Sequence, residues 1–422
     1  MHNHKGYQET YERIMQFNKN KKEPFHRWYP FVEGYSKEFI QSIIQEMGRK
    51  DLVCLEPFSG SGTTALELQR MGIPCFSFEV NPMMYLVARV KLEGSYCIEK
   101  IEYWHNYIID KRGEIESDLT SEFPTLYEGD GKEKWNYNKE VAIAVEKMRQ
   151  AIDSISEEIY KDLFEVALAS ILLDVSNLYR NGKCLAYKKN WETRKPTEEE
   201  VFGKFDSKVT EEIEYDVRTD LAVQSENNKG RLYNQDARVG IAEHIKDNSI
   251  DLVITSPPYL NSRDYTDTYM LELKTLCYKT NKEIKQLREK TIRSHVQLKW
   301  EDTATIENDF LQKTLESLEK AAEKAERWND SIIDMIRLYF VDMQTIYQVL
   351  YTKMKKGGRI YFNVSNSAYY NILIDTLEIC AEISESVGFK VLEIRDARYL
   401  NASPQQKDAV GKLLEGVIVL EK

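Results

Sequence analysis

The block at 51–80 constrains the fold most. Residues 51–57 (Asp-Leu-Val-Cys-Leu-Glu-Pro) read as a buried strand, and 58–62 is a glycine-rich turn. A helical pattern runs to about Met71, and a second strand spans Pro74 to Val80. Strand, turn, helix, strand is the opening of a βαβ unit. The alternation returns later in the chain. Residues 231–236 and 250–255 read as strands with a short helix between them. Lys355-Lys356-Gly357-Gly358 reads as the end of a helix feeding strand 359–364. A helix over 370–387, stopped by Gly388, leads into strand 389–395. These elements predict an α/β fold with a doubly wound, mostly parallel sheet.

Two stretches interrupt that alternation: 98–225 is helix-like and charge-rich, and 262–350 is almost wholly helical. In the second, apolar residues at 311, 315, 318, 322 and 325 recur at helical spacing, the pattern of core packing. The expected division is therefore core at 1–97, helical insertion at 98–228, core at 229–265, helical segment at 266–350 and core at 351–422. With 422 residues, 42% hydrophobic and 30% charged, the chain can bury a large core. It has no run of 18 apolar residues, and its first residues lack the apolar stretch of a signal peptide, so a cytoplasmic protein without membrane contact is expected. The cysteines at 54, 75, 97, 184, 277 and 380 show no paired spacing, so neither a metal site nor a disulfide framework is expected.

Two motifs carry chemistry. Glu56-Pro57-Phe58-Ser59-Gly60-Ser61-Gly62-Thr63-Thr64 ends a strand and opens a helix. Its glycines let backbone approach a ligand, and the helix amino terminus favours a negative group. The following strand ends in Phe78-Glu79-Val80-Asn81-Pro82, placing a carboxylate where a doubly wound fold hydrogen-bonds ribose hydroxyls. An adenosine-bearing cofactor fits. A nicotinamide dehydrogenase is still open here, since Ala65 at the third glycine position is tolerated. The second motif, Ser256-Pro257-Pro258-Tyr259, follows strand 250–255. Its prolines stop the strand and fix an extended turn beside the cofactor crevice. A serine hydroxyl, a proline carbonyl and an aromatic face together suit a planar base bearing an amino group. A dehydrogenase has no use for such a turn.

With both motifs, the sequence resembles the S-adenosylmethionine-dependent amino-methyltransferases of DNA, which act on cytosine N4 or adenine N6. Their cofactor loop, D-P-F-x-G-x-G-T, is matched at 56–63 with Glu56 in place of the usual Asp. Their catalytic [D/N/S]-P-P-[Y/F/W] is matched at 256–259, and E-x-N-P at 79–82 is common among them. The resemblance covers roughly 20–90, 230–265 and 350–422, and implies a Rossmann-like methyltransferase sheet. It implies that Glu56, Pro57, Phe58, Gly60, Gly62, Thr63, Thr64 and Glu79 bind S-adenosylmethionine, with Asp236 near its adenine. His26, in Pro24-Phe25-His26-Arg27-Trp28-Tyr29, falls where the family places a segment near the methionine end. Motif order, cofactor loop before catalytic turn, excludes the permuted class.

The implied reaction is in-line displacement at a sulfonium methyl by an exocyclic amino nitrogen. Ser256 and the Pro257 carbonyl would hold that nitrogen, and Tyr259 would stack on the flipped base. No covalent intermediate and no strong base are needed. Pro74-Cys75 imitates the nucleophile of C5-cytosine methyltransferases, but it opens a strand and reads as buried. Within the family S-P-P-Y leans towards cytosine N4. The alternatives are adenine N6, an RNA amino-methyltransferase, and a non-catalytic specificity subunit.

The partners implied are double-stranded DNA and, in a restriction–modification pair, a cognate restriction enzyme; the oligomeric state is not legible. The net charge of −11 argues against nucleic acid only as a sum. Segment 179–196 carries six Lys/Arg against one acid, with aromatics interleaved. It nominates Arg180, Lys183, Tyr187, Lys188, Lys189 and Trp191 as DNA contacts, and segment 282–299 adds Arg288 and Arg293.

Overall fold

The computed structural model describes residues 2–182, 184–220, 230–260, 264–324, 331–403 and 405–422. In chain order the strands there are β1 (His4–Gly6), β2 (Cys54–Glu56), β3 (Cys75–Phe78), β4 (Leu178–Asn181), β5 (Cys184–Tyr187) and β6 (Arg231–Tyr233), followed by β7 (Ile250–Thr255), β8 (Met354–Ser365), β9 (Ser367–Tyr369), β10 (Ile372–Ile374), β11 (Lys390–Asn401) and β12 (Lys412–Glu421). Eight form one sheet in the order β1-β11-β12-β8-β7-β2-β3-β6. Pairing is parallel except where β12 enters, antiparallel to both β11 and β8.

β7 shows why these strands are buried on both faces. Leu252 and Ile254 face a layer containing Phe39 and Ile43 of helix Lys37–Met47 and Leu68 of helix Thr63–Arg70. Val253 faces the opposite layer, with Ile336 and Tyr339 of helix Ile332–Lys353 and Leu377 of helix Thr376–Val387. Each large side chain buried this way contributes about 1.5–3 kcal/mol. A one-residue slip would exchange the two sets, so both layers hold the register. A third core joins helices Ile98–Lys111, Lys139–Asp153 and Glu158–Val175 to Trp28, Tyr29 and helix Pro82–Leu92. Leu311, Leu315, Leu318 and Ala322 of helix Asp309–Lys324 are buried, as their spacing predicts, and position 325 lies outside the described residues.

Four expectations are corrected. The helix expected over 370–387 begins only at Thr376, where the Asp375 carboxylate accepts the Glu378 N–H at 3.2 Å. Before it, β9 and β10 form a hairpin whose central residues, Tyr370 and Asn371, both take left-handed backbone (φ 49° and 63°), the turn that matches strand twist. Lys355–Gly358 belongs to β8 rather than to a helix end, because Lys422 beside it exchanges backbone hydrogen bonds with Gly357 and Gly358. The stretch 262–350 is not wholly helical, since 291–308 is irregular, anchored by side chains such as Arg293 on Asp342. The helix-like stretch 98–225 contains the β4–β5 hairpin. Gly388 does end its helix, at φ 119°, donating its N–H to the carbonyls of Glu385 and Ser384.

Candidate active site

A cavity of about 420 Å³ opens at the carboxyl ends of β2, β3 and β7, the crevice of a doubly wound sheet. It is lined by Glu56, Pro57, Phe58, Gly60, Thr63, Thr64, Glu79, Asp236 and Ser256 to Tyr259. The structure thus gathers both motifs in one space.

Glu56 lies at the base. It is buried and accepts four hydrogen bonds: from Thr255 Oγ1 at 2.5 Å, Phe58 N at 3.0 Å, and Tyr35 OH and Thr64 Oγ1, each at 2.9 Å. Burial pushes its carboxyl up to about 7 against the pull of these donors. Its oxygens are occupied by the protein, so its part is to clamp the loop.

The glycine loop is held from three sides. Gly60 (φ 51°) donates its N–H to Glu79 Oε2 at 2.7 Å, and a Cβ there would stand 2.9 Å from the Phe31 ring. Gly62 (φ 81°) does not line the cavity; a Cβ on it would meet the Ala88 Cβ at 2.9 Å, so it lets two helices close behind the loop. Beneath, the buried Lys91 donates to the Ser61 carbonyl at 3.0 Å, and burial lowers its ammonium to about 7. Glu79 faces the cavity and also takes the Asn81 N–H at 2.8 Å. Its withdrawal from bulk water pushes the carboxyl up to about 7 despite those N–H groups.

The catalytic turn belongs to a chain of directed hydrogen bonds. Ser256 Oγ donates to Tyr259 OH at 3.3 Å, and Tyr259 OH donates to Glu415 Oε1 at 2.9 Å. Asn363 Nδ2 donates to Tyr259 OH at 2.6 Å, and Arg398 Nε donates to Glu415 Oε2 at 2.6 Å. With its hydrogen turned towards Tyr259, Ser256 keeps its lone pairs as acceptors. The Tyr259 N–H donates to Tyr265 OH at 2.8 Å, fixing the turn from the other side.

Tyr35, Phe31, Asn363, Arg398 and Glu415 all line the cavity and escaped the sequence reading. A signal existed for two of them. Asn363 and Glu415 are polar residues inside otherwise apolar strands, Ile-Tyr-Phe-Asn-Val and Leu-Leu-Glu-Gly-Val-Ile.

Other placements differ from expectation. His26 does not line the cavity: it is fully buried, bonded through Nε2 to Glu67 at 3.0 Å, and burial lowers its ring to about 4. Phe31 to Tyr35 form the wall instead. Asp236 lines the cavity, but it caps helix Ala237–His244 and pairs with Arg238 at 2.7 Å. Cys75 is buried in β3, and burial pushes its thiol up to about 12.

Most of the basic residues nominated for DNA engage groups of the protein itself. Arg180, its side chain 9% exposed, is bonded to Glu272 at 2.6 Å, Tyr29 OH at 3.2 Å and two carbonyls. Lys188 caps the end of helix Glu158–Val175 on the carbonyls of Leu173, Asp174 and Ser176. Arg288 pairs with Asp264 and Asp267, each at 2.6 Å, and Arg293 with Asp342 at 2.7 Å. Trp191 is buried against Trp135 and Tyr187, which is itself half-buried. A composition count cannot distinguish a cation facing solvent from one facing a carboxylate. Lys189 is exposed, and Lys183 lies outside the described residues.

A mostly parallel α/β sheet with its glycine loop, strand-tip acid and S-P-P-Y turn around one crevice is a Rossmann-like methyltransferase fold. The homologues are type II methyltransferases. The chain is 27% identical to type II methyltransferase M.BsoBI of Geobacillus stearothermophilus, across 98% of this chain and 89% of that one. It is 26% identical to M.AvaI of Nostoc sp., across 90% and 82%, and 26% identical to M.MvaI of Kocuria varians, across 58% and 55%. No family model matches the chain.

Proposed function

We propose that this protein transfers a methyl group from S-adenosylmethionine to the exocyclic amino group of a base flipped out of duplex DNA, cytosine N4 favoured over adenine N6. The observation that carries the reading is the shared cavity, with Ser256 presenting lone pairs beside Glu79 and the glycine loop. The type II relatives support DNA as the substrate and a paired restriction enzyme as the partner.

The residues present fit the cofactor. Glycines leave backbone bare where Cβ atoms would collide, and the Glu79 carboxylate faces the cavity with lone pairs for ribose hydroxyls. Val80 and Ala237 offer apolar wall beside the carboxylates of Glu79 and Asp236. When bound, the cofactor supplies an electrophilic sulfonium methyl. The protein holds the target nitrogen through Ser256 Oγ and the Pro257 carbonyl, stacks the base on Tyr259 and excludes water. Insertion 98–228 is the proposed recognition region and 266–350 a second contact, with Lys189 a candidate phosphate contact.

Purified protein incubated with tritiated S-adenosylmethionine and mixed-sequence duplex DNA, then digested to nucleosides, should give N4-methylcytosine. N6-methyladenine would move the reading to its alternative. Label entering only RNA, or label surviving Ser256→Ala, would sink it.

A further inference from the structure

Methylating an amine leaves a nitrogen with one proton too many. The structure holds a path for that proton which the motif alone does not contain. Ser256, Tyr259 and Glu415 are linked in sequence at 3.3 Å and 2.9 Å, every hydrogen pointing towards Glu415. Three features make Glu415 a terminus rather than a chance neighbour. It is a carboxylate 1% exposed on an otherwise apolar strand, in the middle of the sheet. Arg398 holds its far oxygen at 2.6 Å, leaving Oε1 turned to Tyr259. Asn363 Nδ2 reaches Tyr259 OH at 2.6 Å, Glu415 Oε1 at 3.3 Å and Ser256 Oγ at 3.5 Å, bracing all three in line. Replacing a buried ion pair by apolar residues is often neutral or stabilising, so stability is a weak account of this carboxylate.

We propose that Glu415 accepts, through Tyr259 and Ser256, the proton leaving the target amino group. The inference rests on the amino-methyltransferase reading. The nitrogen lone pair forms the N–C bond, and the C–S pair stays on the departing sulfur. As that bond forms, the N–H proton passes to Ser256 Oγ, the serine hydrogen to Tyr259 OH, and the tyrosine hydrogen to Glu415 Oε1. The product amine is neutral, Glu415 carries the proton, and reversal after release returns it to solvent. Neither hydroxyl need ionise, which suits Tyr259, whose burial raises its phenol well above the usual range. Glu415 is a positioning residue: it acts through two hydroxyls.

The groups facing Glu415 are Arg398 on β11, Tyr259 on the turn with Tyr265 behind it, and the neutral Asn363 and Ser365 on β8. The pH dependence of the rate separates a proton acceptor from a structural prop, since cutting the path changes the acid side of the profile. The test is single-turnover transfer from tritiated S-adenosylmethionine to mixed-sequence duplex DNA, from acid to neutral pH. The variants are Glu415→Gln, Tyr259→Phe and the double; cofactor affinity and melting are followed in parallel. Glutamine still accepts from Arg398, and phenylalanine keeps the stacking ring. Each single variant should slow transfer about a hundredfold and flatten the acid limb, with cofactor affinity unchanged. The double should be no slower than either single, since both cut one path. Glu415→Asp should recover part of the rate.

Glu415→Gln within threefold of wild type, an unchanged acid limb, or a double variant whose loss is the product of the singles would each overturn the relay. A wild type that labels no nucleic acid would remove the amino-methyltransferase reading, and the relay with it. That failure is recognisable because it needs no variant.

Discussion

Thr255 donates its hydroxyl hydrogen to Glu56 Oε1 at 2.5 Å, across 199 residues of sequence. Thr255 is the last residue of the strand before the Ser-Pro-Pro-Tyr turn, and Glu56 opens the glycine loop. One hydrogen bond thus sets the distance between the two halves of the site, and Tyr35 and Thr64 brace the same carboxylate. A shift of either strand is felt by the other motif.

That clamp is sensitive to pH. The folded carboxyl of Glu56 is raised to about 7, above its ordinary range. A raised acid contributes stability that is fully present below the unfolded value near 4.3, and it is lost as pH rises through 7. Glu56→Gln removes this contribution. The variant should therefore gain melting temperature relative to wild type between pH 5 and pH 8, by calorimetry. A difference independent of pH would count against the clamp's titration.

Gly62→Ala should cost about 1–3 kcal/mol, because the added methyl meets Ala88 at 2.9 Å on a left-handed residue. Ala88→Gly in the same chain should recover part of the loss, so the pair should be non-additive in urea unfolding. Additivity would mean that backbone strain alone makes alanine unwelcome there.

In the proposed reading Glu79 takes the ribose hydroxyls as a carboxylate, and its value lies at about 7. Affinity for S-adenosylmethionine should therefore weaken about tenfold from pH 8 to pH 6. Glu79→Gln should bind weakly at both. Titration calorimetry at the two pH values reads both expectations, and equal wild-type affinities would remove Glu79 from the binding site.

Arg180→Ala strands Glu272, which is 1% exposed, so it should cost about 3–5 kcal/mol in stability. Adding Glu272→Met should restore part of it. Lys189→Ala should behave in the opposite way. Its melting should be unchanged, while weak binding to non-cognate DNA falls and the salt slope drops by about one. Arg180→Met with normal melting and weakened DNA binding would return Arg180 to the DNA.

The legible parts of the chain were those whose physics is local. Strand β7 and the turn at 256–259 could be read because a short run rich in Ile, Leu and Val stops just before two prolines. Gly388 could be read because a helix end needs its left-handed backbone. What could not be read depends on partners distant in sequence. Residues 355–358 look like a helix end until Lys422 lies beside them. Arg180, Lys188, Arg288 and Arg293 look like a nucleic-acid face until the carboxylates and carbonyls across from them are in place. Tyr370-Asn371 carries no glycine, so its two-residue turn has no local mark.

β12 lies inside the sheet, between β11 and β8, although among the described strands it comes after all the others in sequence. A nascent chain that has released the glycine loop and the catalytic turn still presents β8 as an open edge, an invitation to pair with another chain. It also lacks Glu415. Residues 412–421 therefore act as a closing key during synthesis. Until they leave the ribosome, the chain holds both motifs but neither a complete sheet nor a complete cavity floor.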